Sequence, residues 1–337
     1  MDSVTPTVAV AVVEGLPPDG PEAHDGPVAG GGYESWFVSA RDPASPRALW
    51  IRHTRHRPRR GPETAALWCT VVDRDLGQRP VVVKQVFGAF PVDAAAGAGQ
   101  FRGQAAMEGQ AARWDLAVTD GQPPLLPLRP AVLYRAPLPR TKLVATVPDG
   151  LVTGTVEVDG RGIAVSGWRG TVGHNWGSEH ADSWVWLHAA GFDAEPEGWL
   201  ELVLAQIKIG GALLPWTAMG ALHVGGERIT LGGLGRRTGV DADPDRLTAS
   251  VPTARGRLQV AVGTAADATR AGATVRVVYD DPGGGTRTVS HAAIAAVELT
   301  LHRPGDRELT LSATSCAYEY GTRGEMPGPQ PEPLPKG

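Results

Sequence analysis

Apolar and polar residues alternate along most of this chain with a period of two, the pattern of β-strands with one buried face. Such runs cover Tyr33 to Ala40, Ala48 to Thr54, Ala65 to Asp73 and Val81 to Phe87, separated by Asp-Pro, Arg-Pro and glycine-rich turns. The series continues at Arg113 to Thr119, Lys142 to Thr146, Thr153 to Val158 and Arg161 to Trp168, with Asp159-Gly160 as a hairpin signal. Trp199 to Ile209 is the longest apolar run, with Glu201 on the same face as Val203, Ala205 and Ile207, a face that in a barrel could be the lumen. Further strands are predicted at Pro215 to Val224, Glu227 to Leu231, Leu247 to Val251, Arg257 to Val262, Ala273 to Asp280, Ala292 to Leu301 and Glu308 to Tyr320. Three stretches break the pattern. Ala94 to Met107 reads as a helical turn or an irregular loop, since Gly97, Gly99 and Gly103 oppose a helix. Gly121 to Pro139 is too rich in proline for a central strand, and Gly232 to Gly235 is a turn. With no helical segments to build βαβ units, the chain is all-β, either two barrels or a barrel packed on a sandwich.

Composition narrows the functional classes. The chain has 337 residues, with 32 basic against 36 acidic side chains and a net charge of −4, so no nucleic-acid partner is indicated. Its one dense basic run, Arg52 to Arg60, reads as a strand end entering a solvated loop, with an anionic ligand or transient membrane-surface contact as the alternative. No apolar run approaches the ~20 residues of a transmembrane helix. Cys69 and Cys316 stand far apart and read as reduced thiols of a cytoplasmic protein. Residues 1–32 read as a loose leader with one short apolar run, Val8 to Val13, and 324–337 as a proline-rich disordered tail.

Four of the ten tryptophans and three of the nine histidines fall within residues 166–188. The second half of that stretch reads as a strand, with Trp184, Trp186 and His188 on one face. The first half reads as a tight loop in which Gly170, Gly173 and Gly177 let backbone pass close to large rings. His174, His180 and His188 match no zinc spacing, and no metal is implied. His174 with Asn175 reads as a loop-bracing pair or as a polar anchor for a substrate oxygen, and Trp176, Trp184 and Trp186 as core or as pocket wall. Neither a nucleophile elbow nor a phosphate-binding loop occurs in a strand-to-helix setting, and no cofactor is implied.

Five stretches together resemble one family: Tyr33-Glu-Ser-Trp-Phe37, Arg47-Ala-Leu-Trp-Ile-Arg-His-Thr54, Gly167-Trp-Arg-Gly170, Gly173-His-Asn-Trp-Gly177 and Tyr318-Glu-Tyr-Gly321. They are similar to the lipocalin-like superfamily that groups hydroxyneurosporene synthase (a carotenoid hydratase), AttH-like proteins and tocopherol cyclase. The resemblance implies two consecutive lipocalin-like antiparallel barrels with little helix, here residues 33–165 and 166–323, and an apolar ligand site at or between their mouths. It also implies hydratase or cyclase chemistry on an isoprenoid or polyene, in which a carboxylic acid protonates a double bond. Cofactor-free pericyclic closure and simple ligand carriage are the alternatives.

Such protonation needs an acid kept neutral by burial and an electron-rich wall for the cation that follows. Glu34, Asp115, Glu179, Asp182, Glu201 and Glu319 are the carboxyls set among aromatic or apolar neighbours. Glu34, two residues before Trp36 on the same face, is either the acid or the partner of an arginine such as Arg52 or Arg169. Asp115 and Glu319 read as structural. The catalytic candidates are Glu34, Glu201 and His174; the candidates for substrate binding are Trp36, Arg52, Asn175, Trp176, Trp184, Trp186 and His188.

Overall fold

The computed structural model describes residues 31–73, 80–97, 99–263, 274–326 and 334; the apolar run Val8 to Val13 and most of the tail lie outside them. The first sheet contains β1 (Gly32–Arg41), β2 (Arg47–Arg57), β3 (Thr64–Asp73), β4 (Val81–Phe87), β5 (Ala95–Ala96), β6 (Gln100–Met107), β7 (Gln110–Thr119), β8 (Thr141–Val158) and β9 (Arg161–Gly177). It is ordered β4-β3-β2-β1-β9-β8-β7-β6-β5 and antiparallel throughout. The sheet curls until β4 lies beside β6, where Ala106 N–H donates to the Gln85 side chain at 2.8 Å in place of a backbone ladder.

The remaining strands are β10 (Ser183–Phe192), β11 (Glu195–Gln206), β12 (Lys208–Ile209), β13 (Ala212–Leu213), β14 (Thr217–Val224), β15 (Glu227–Gly232), β16 (Gly239–Ala242), β17 (Arg246–Thr253), β18 (Gly256–Gly263), β19 (Thr274–Asp280), β20 (Thr286–His302) and β21 (Leu309–Thr322). The ring β15-β14-β11-β10-β21-β20-β18-β17 closes through the bridge Leu231 to Thr253, with β19 added on the early part of β20. The chain is all-β: a curled nine-stranded sheet, a half-barrel, beside a closed eight-stranded barrel. Among the described residues the one helical segment is a 3-10 turn, Ala131–Tyr134, and no helix is long and apolar enough to cross a membrane.

Three sequence expectations are corrected. Within Ala94 to Met107, Ala95–Ala96 and Gln100–Met107 are strand: Phe101, Gly103 and Ala105 point inward between exposed neighbours, which is a period of two. Lys142 to Thr146 and Thr153 to Val158 are one strand, β8, whose register against β9 shifts near Ala145, Val147 and Val152. The glycine-rich first half of 166–188 is not a loop but the end of β9. Its glycines make room for rings, since a Cβ on Gly173 would collide with Phe37. The change of sheet therefore comes between Gly177 and Ser183, twelve or more residues after position 165.

Both barrels are filled by their own side chains. Trp36, Phe101, Trp114 and the aliphatic residues around them occupy the first, while Val185, Leu187, Leu200, Leu202, Leu204 and Tyr318 belong to the core of the second. The period of two then sends the alternate residues of the same strands outward, and on β1, β2, β10, β11 and β21 outward means toward the other barrel. Trp50 and Trp68 of β2 and β3 pack there against Val277, Tyr279 and Val289 of β19 and β20.

Candidate active site between the barrels

A cavity of about 370 Å³ lies between these facing surfaces. The first barrel gives it Tyr33 and Phe37 from β1, Trp50 and Arg52 from β2, and Leu143 and Asn175 from β8 and β9. The second gives Trp184, Trp186, Glu201, Val203, Met219, Tyr279 and Glu319. Leu128, Leu138 and Pro139 of the proline-rich connection form one side. That connection is tied down where Tyr134 O–H donates to Leu143 C=O at 2.9 Å and Lys142 Nζ donates to Ala136 C=O at 2.9 Å.

The centre of the site is built on β10. Trp184 and Trp186 share its outward face, and their indoles lean to opposite sides. Trp186 Nε1–H donates to Glu201 Oε1 on β11 at 2.6 Å, while Trp184 Nε1–H donates to Glu319 Oε1 on β21 at 2.8 Å. Each indole thus fixes one carboxyl at the cavity wall.

The two carboxyls sit in opposite electrostatic settings. Burial pushes Glu201 up to about 8, more than the Trp186 hydrogen bond and the Arg41 charge lower it. Its Oε2 has no hydrogen-bond partner among the described residues. At neutral pH this is a carboxylic acid. Burial also raises Glu319, but His291, whose Nδ1 is 3.6 Å away, together with Arg52 and the Trp184 indole, outweighs it and holds the group below the ordinary glutamate range. Tyr279 O–H donates to its Oε2 at 3.3 Å. His291 is buried and stacks on Trp50 with centroids 4.0 Å apart and planes at 8°.

Of the residues singled out from sequence, Arg52, His174, Asn175, Trp184, Trp186 and Glu201 line this cavity. Glu201 faces the space between the barrels, not a lumen, because it is Leu200, Leu202 and Leu204 of β11 that fill the second barrel. Glu34, Trp36, Trp176 and His188 are not among its lining residues. Glu34 points to the far side of β1, 3.8 Å from Arg55 rather than from Arg52 or Arg169, and burial raises it to about 7. Trp36 is packed inside the first barrel, where His174 is sandwiched between it and Trp176 at 4.9 and 4.7 Å. His188 is fully buried between the barrels: Arg41 donates to its Nδ1 at 2.6 Å, and its Nε2–H donates to Pro148 C=O at 3.0 Å. Burial and the Arg41 charge keep it well below the ordinary histidine range and hence neutral.

Sequence reasoning did not select Phe37, Trp50, Tyr279, His291 or Glu319 for the site. Phe37 and Trp50 carried a signal, lying in two of the stretches that resemble the family, and so did Glu319, by its place between Tyr318 and Tyr320. The others reach the cavity through pairings of strands far apart in sequence.

No protein-family profile matches the chain. An uncharacterized protein of Mycobacterium tuberculosis, named Rv0493c in strain H37Rv and MT0513 in strain CDC 1551, is 29% identical over 169 residues, which are 48% of this chain. The match spans about half the length of those curated relatives, 50%. Among solved structures, CghA in complex with Sch210972 superposes with a TM-score of 0.53 and 13% identity, covering 87% of this chain and 89% of that one. Kievitone hydratase from Nectria haematococca gives a TM-score of 0.50 and 8% identity over 87% and 89%. At such identities the likeness shows the fold alone.

Proposed function

We propose that the protein is an enzyme of the hydratase or cyclase type, adding water or an internal nucleophile across a double bond of an apolar isoprenoid or polyene intermediate. The observation that carries this reading is Glu201, a buried carboxyl that keeps its proton up to about 8, with one oxygen unpartnered, in a cavity walled by Trp184, Trp186 and Phe37. Glu201 O–H delivers its proton to one alkene carbon, and the neighbouring carbon becomes cationic. The indole faces stabilise that cation by ~2 kcal/mol or more where water is excluded. A water molecule or a substrate hydroxyl adds to it, and the Glu319 carboxylate takes the proton released. Glu319 then gives that proton up to solvent and solvent returns one to Glu201, which balances the cycle. Two carboxyls driven apart by their surroundings into an acid and a base are the arrangement such an addition requires.

The test is turnover of a panel of terpenoid and polyene compounds by wild-type protein and Glu201→Gln, with binding followed by tryptophan fluorescence. Loss of ~10²-fold or more in turnover with binding kept is the expected result. Turnover that survives Glu201→Gln removes the acid mechanism in favour of pericyclic templating. Tight binding with no turnover by the wild type makes the protein a carrier.

A further inference from the structure

Arg52 is unlike every other cation of the cavity. Arg140 and Arg323 at the mouth both pair with Glu179, and Lys208 is exposed. Arg52 is only 6% exposed, and among the described residues no carboxylate lies within ion-pair distance of it. Its guanidinium sits over three rings, 5.0 Å from the centroid of Trp50, 5.4 Å from Trp68 and 4.1 Å from Tyr279. Nε and Nη2 donate to Ser35 Oγ at 3.3 and 3.1 Å, which leaves Nη1 with no hydrogen-bond partner among the described residues. A second buried cation, Lys84, lies over the Trp68 ring at 4.4 Å. Arg52 lines both the main cavity and a smaller one of about 60 Å³ that Lys84 also lines.

A buried guanidinium with an unused donor is costly unless something fills it, and an unmet hydrogen bond at a charged group is worth more than a neutral one. Aromatic faces ease the burial of the cation but accept none of its N–H donors in the plane of the guanidinium, which is where a carboxylate or enolate oxygen docks. The smaller cavity, lined by Arg52, Arg55 and Lys84 and also by Glu34 and Asp280, has room for a few-atom polar head, and the larger one beside it suits an apolar body.

We infer that Arg52 is the anchor for an acidic head group, a carboxylate or enolate oxygen, on an otherwise apolar substrate whose body lies along Phe37, Trp184 and Trp186. The inference rests on the proposed apolar-substrate reading of the same cavity and adds the substrate class: an amphipathic acid rather than a hydrocarbon or a neutral alcohol. One end of the molecule is thereby fixed, which sets which of its double bonds comes to Glu201.

The test compares farnesoic acid, methyl farnesoate and farnesol, which share one isoprenoid body and differ in the head, by quenching of tryptophan fluorescence in the full-length protein. Wild-type protein is expected to bind the acid about tenfold or more tighter than the ester or the alcohol. Arg52→Gln, with its fold checked by near-ultraviolet circular dichroism, is expected to bring the three to one affinity, and Arg52→Lys to restore part of the preference. Equal binding of the three heads by the wild type overturns the inference and leaves the apolar cavity standing. An acid preference that persists in folded Arg52→Gln also overturns it, by placing the anchor elsewhere. Should Arg52→Gln fail to fold, the wild-type comparison of acid with ester decides. Binding of none of the three overturns both the anchor and the apolar-substrate reading.

Discussion

In an unfolded chain Glu201 would lose its proton near its ordinary value of 4.5, whereas in the folded protein it keeps it up to about 8. Between those values the native state binds more protons than the unfolded one, so this residue's contribution to stability falls as pH rises through the window. Glu201→Gln keeps an acceptor for the Trp186 indole and has no charge to bury. It is expected to be more stable than wild type at pH 7 to 8 by ~1 to 3 kcal/mol, with no advantage near pH 4, as read by denaturant titration. A mutant no more stable at pH 8 would mean that Glu201 ionises freely there. The rate has the same sign: it is expected to fall as pH rises through about 8, where the acid is lost. Glu201 was legible in the sequence because it interrupts an apolar run, and Trp184 and Trp186 because they share a strand face. The Glu319 environment was not, since His291, Tyr279 and Arg52 come from three other strands, and no local spacing encodes their meeting.

Single strands explain how the site is shaped. On β10, Trp184 leans toward β21, where that strand offers it room. Trp184 lies over Gly321 of β21, where an added Cβ would collide with the indole. Gly321→Ala is therefore expected to displace Trp184 and release Glu319 Oε1, with a loss of ~1 to 3 kcal/mol in stability from overpacking and a shifted tryptophan emission. An unchanged spectrum and melting temperature would show the ring to be looser than described. Alternation made most of the strands legible, but not the full lengths of β8, β9 and β20. It failed where exposure hides one half of the period, as at β6, and where bulges break it, as in β8, because register shifts depend on partner strands and not on local sequence.

At the scale of the molecule, the two barrels meet through buried polar and aromatic contacts. Arg41 of β1 reaches His188 of β10, which in turn donates to Pro148 of β8, so one imidazole is held by the first barrel at both ring nitrogens. Arg41→Met leaves the His188 Nδ1 acceptor buried and unmet, at a cost of about 1 to 3 kcal/mol. Calorimetry is expected to show a lower melting temperature and a transition that broadens toward two. A single transition at the wild-type temperature would show that the barrels are coupled by other contacts. Resemblance to a known family made the pair of barrels legible, but not the placing of the cavity against their outer faces, because the sequence pattern gives two faces to each strand without saying which one another domain covers.

The packing of each barrel on its own core has a consequence for how such a protein can change over time. Residues that keep the fold stable point into two separate interiors, and residues that would handle a substrate point into the space shared between them. Exchanging Phe37, Val203 or Met219 reshapes that space without removing a side chain from either main core, so new specificities can be explored with little risk to folding. The frame is in this sense evolvable: its durability and its chemistry are carried by different halves of the same alternating pattern.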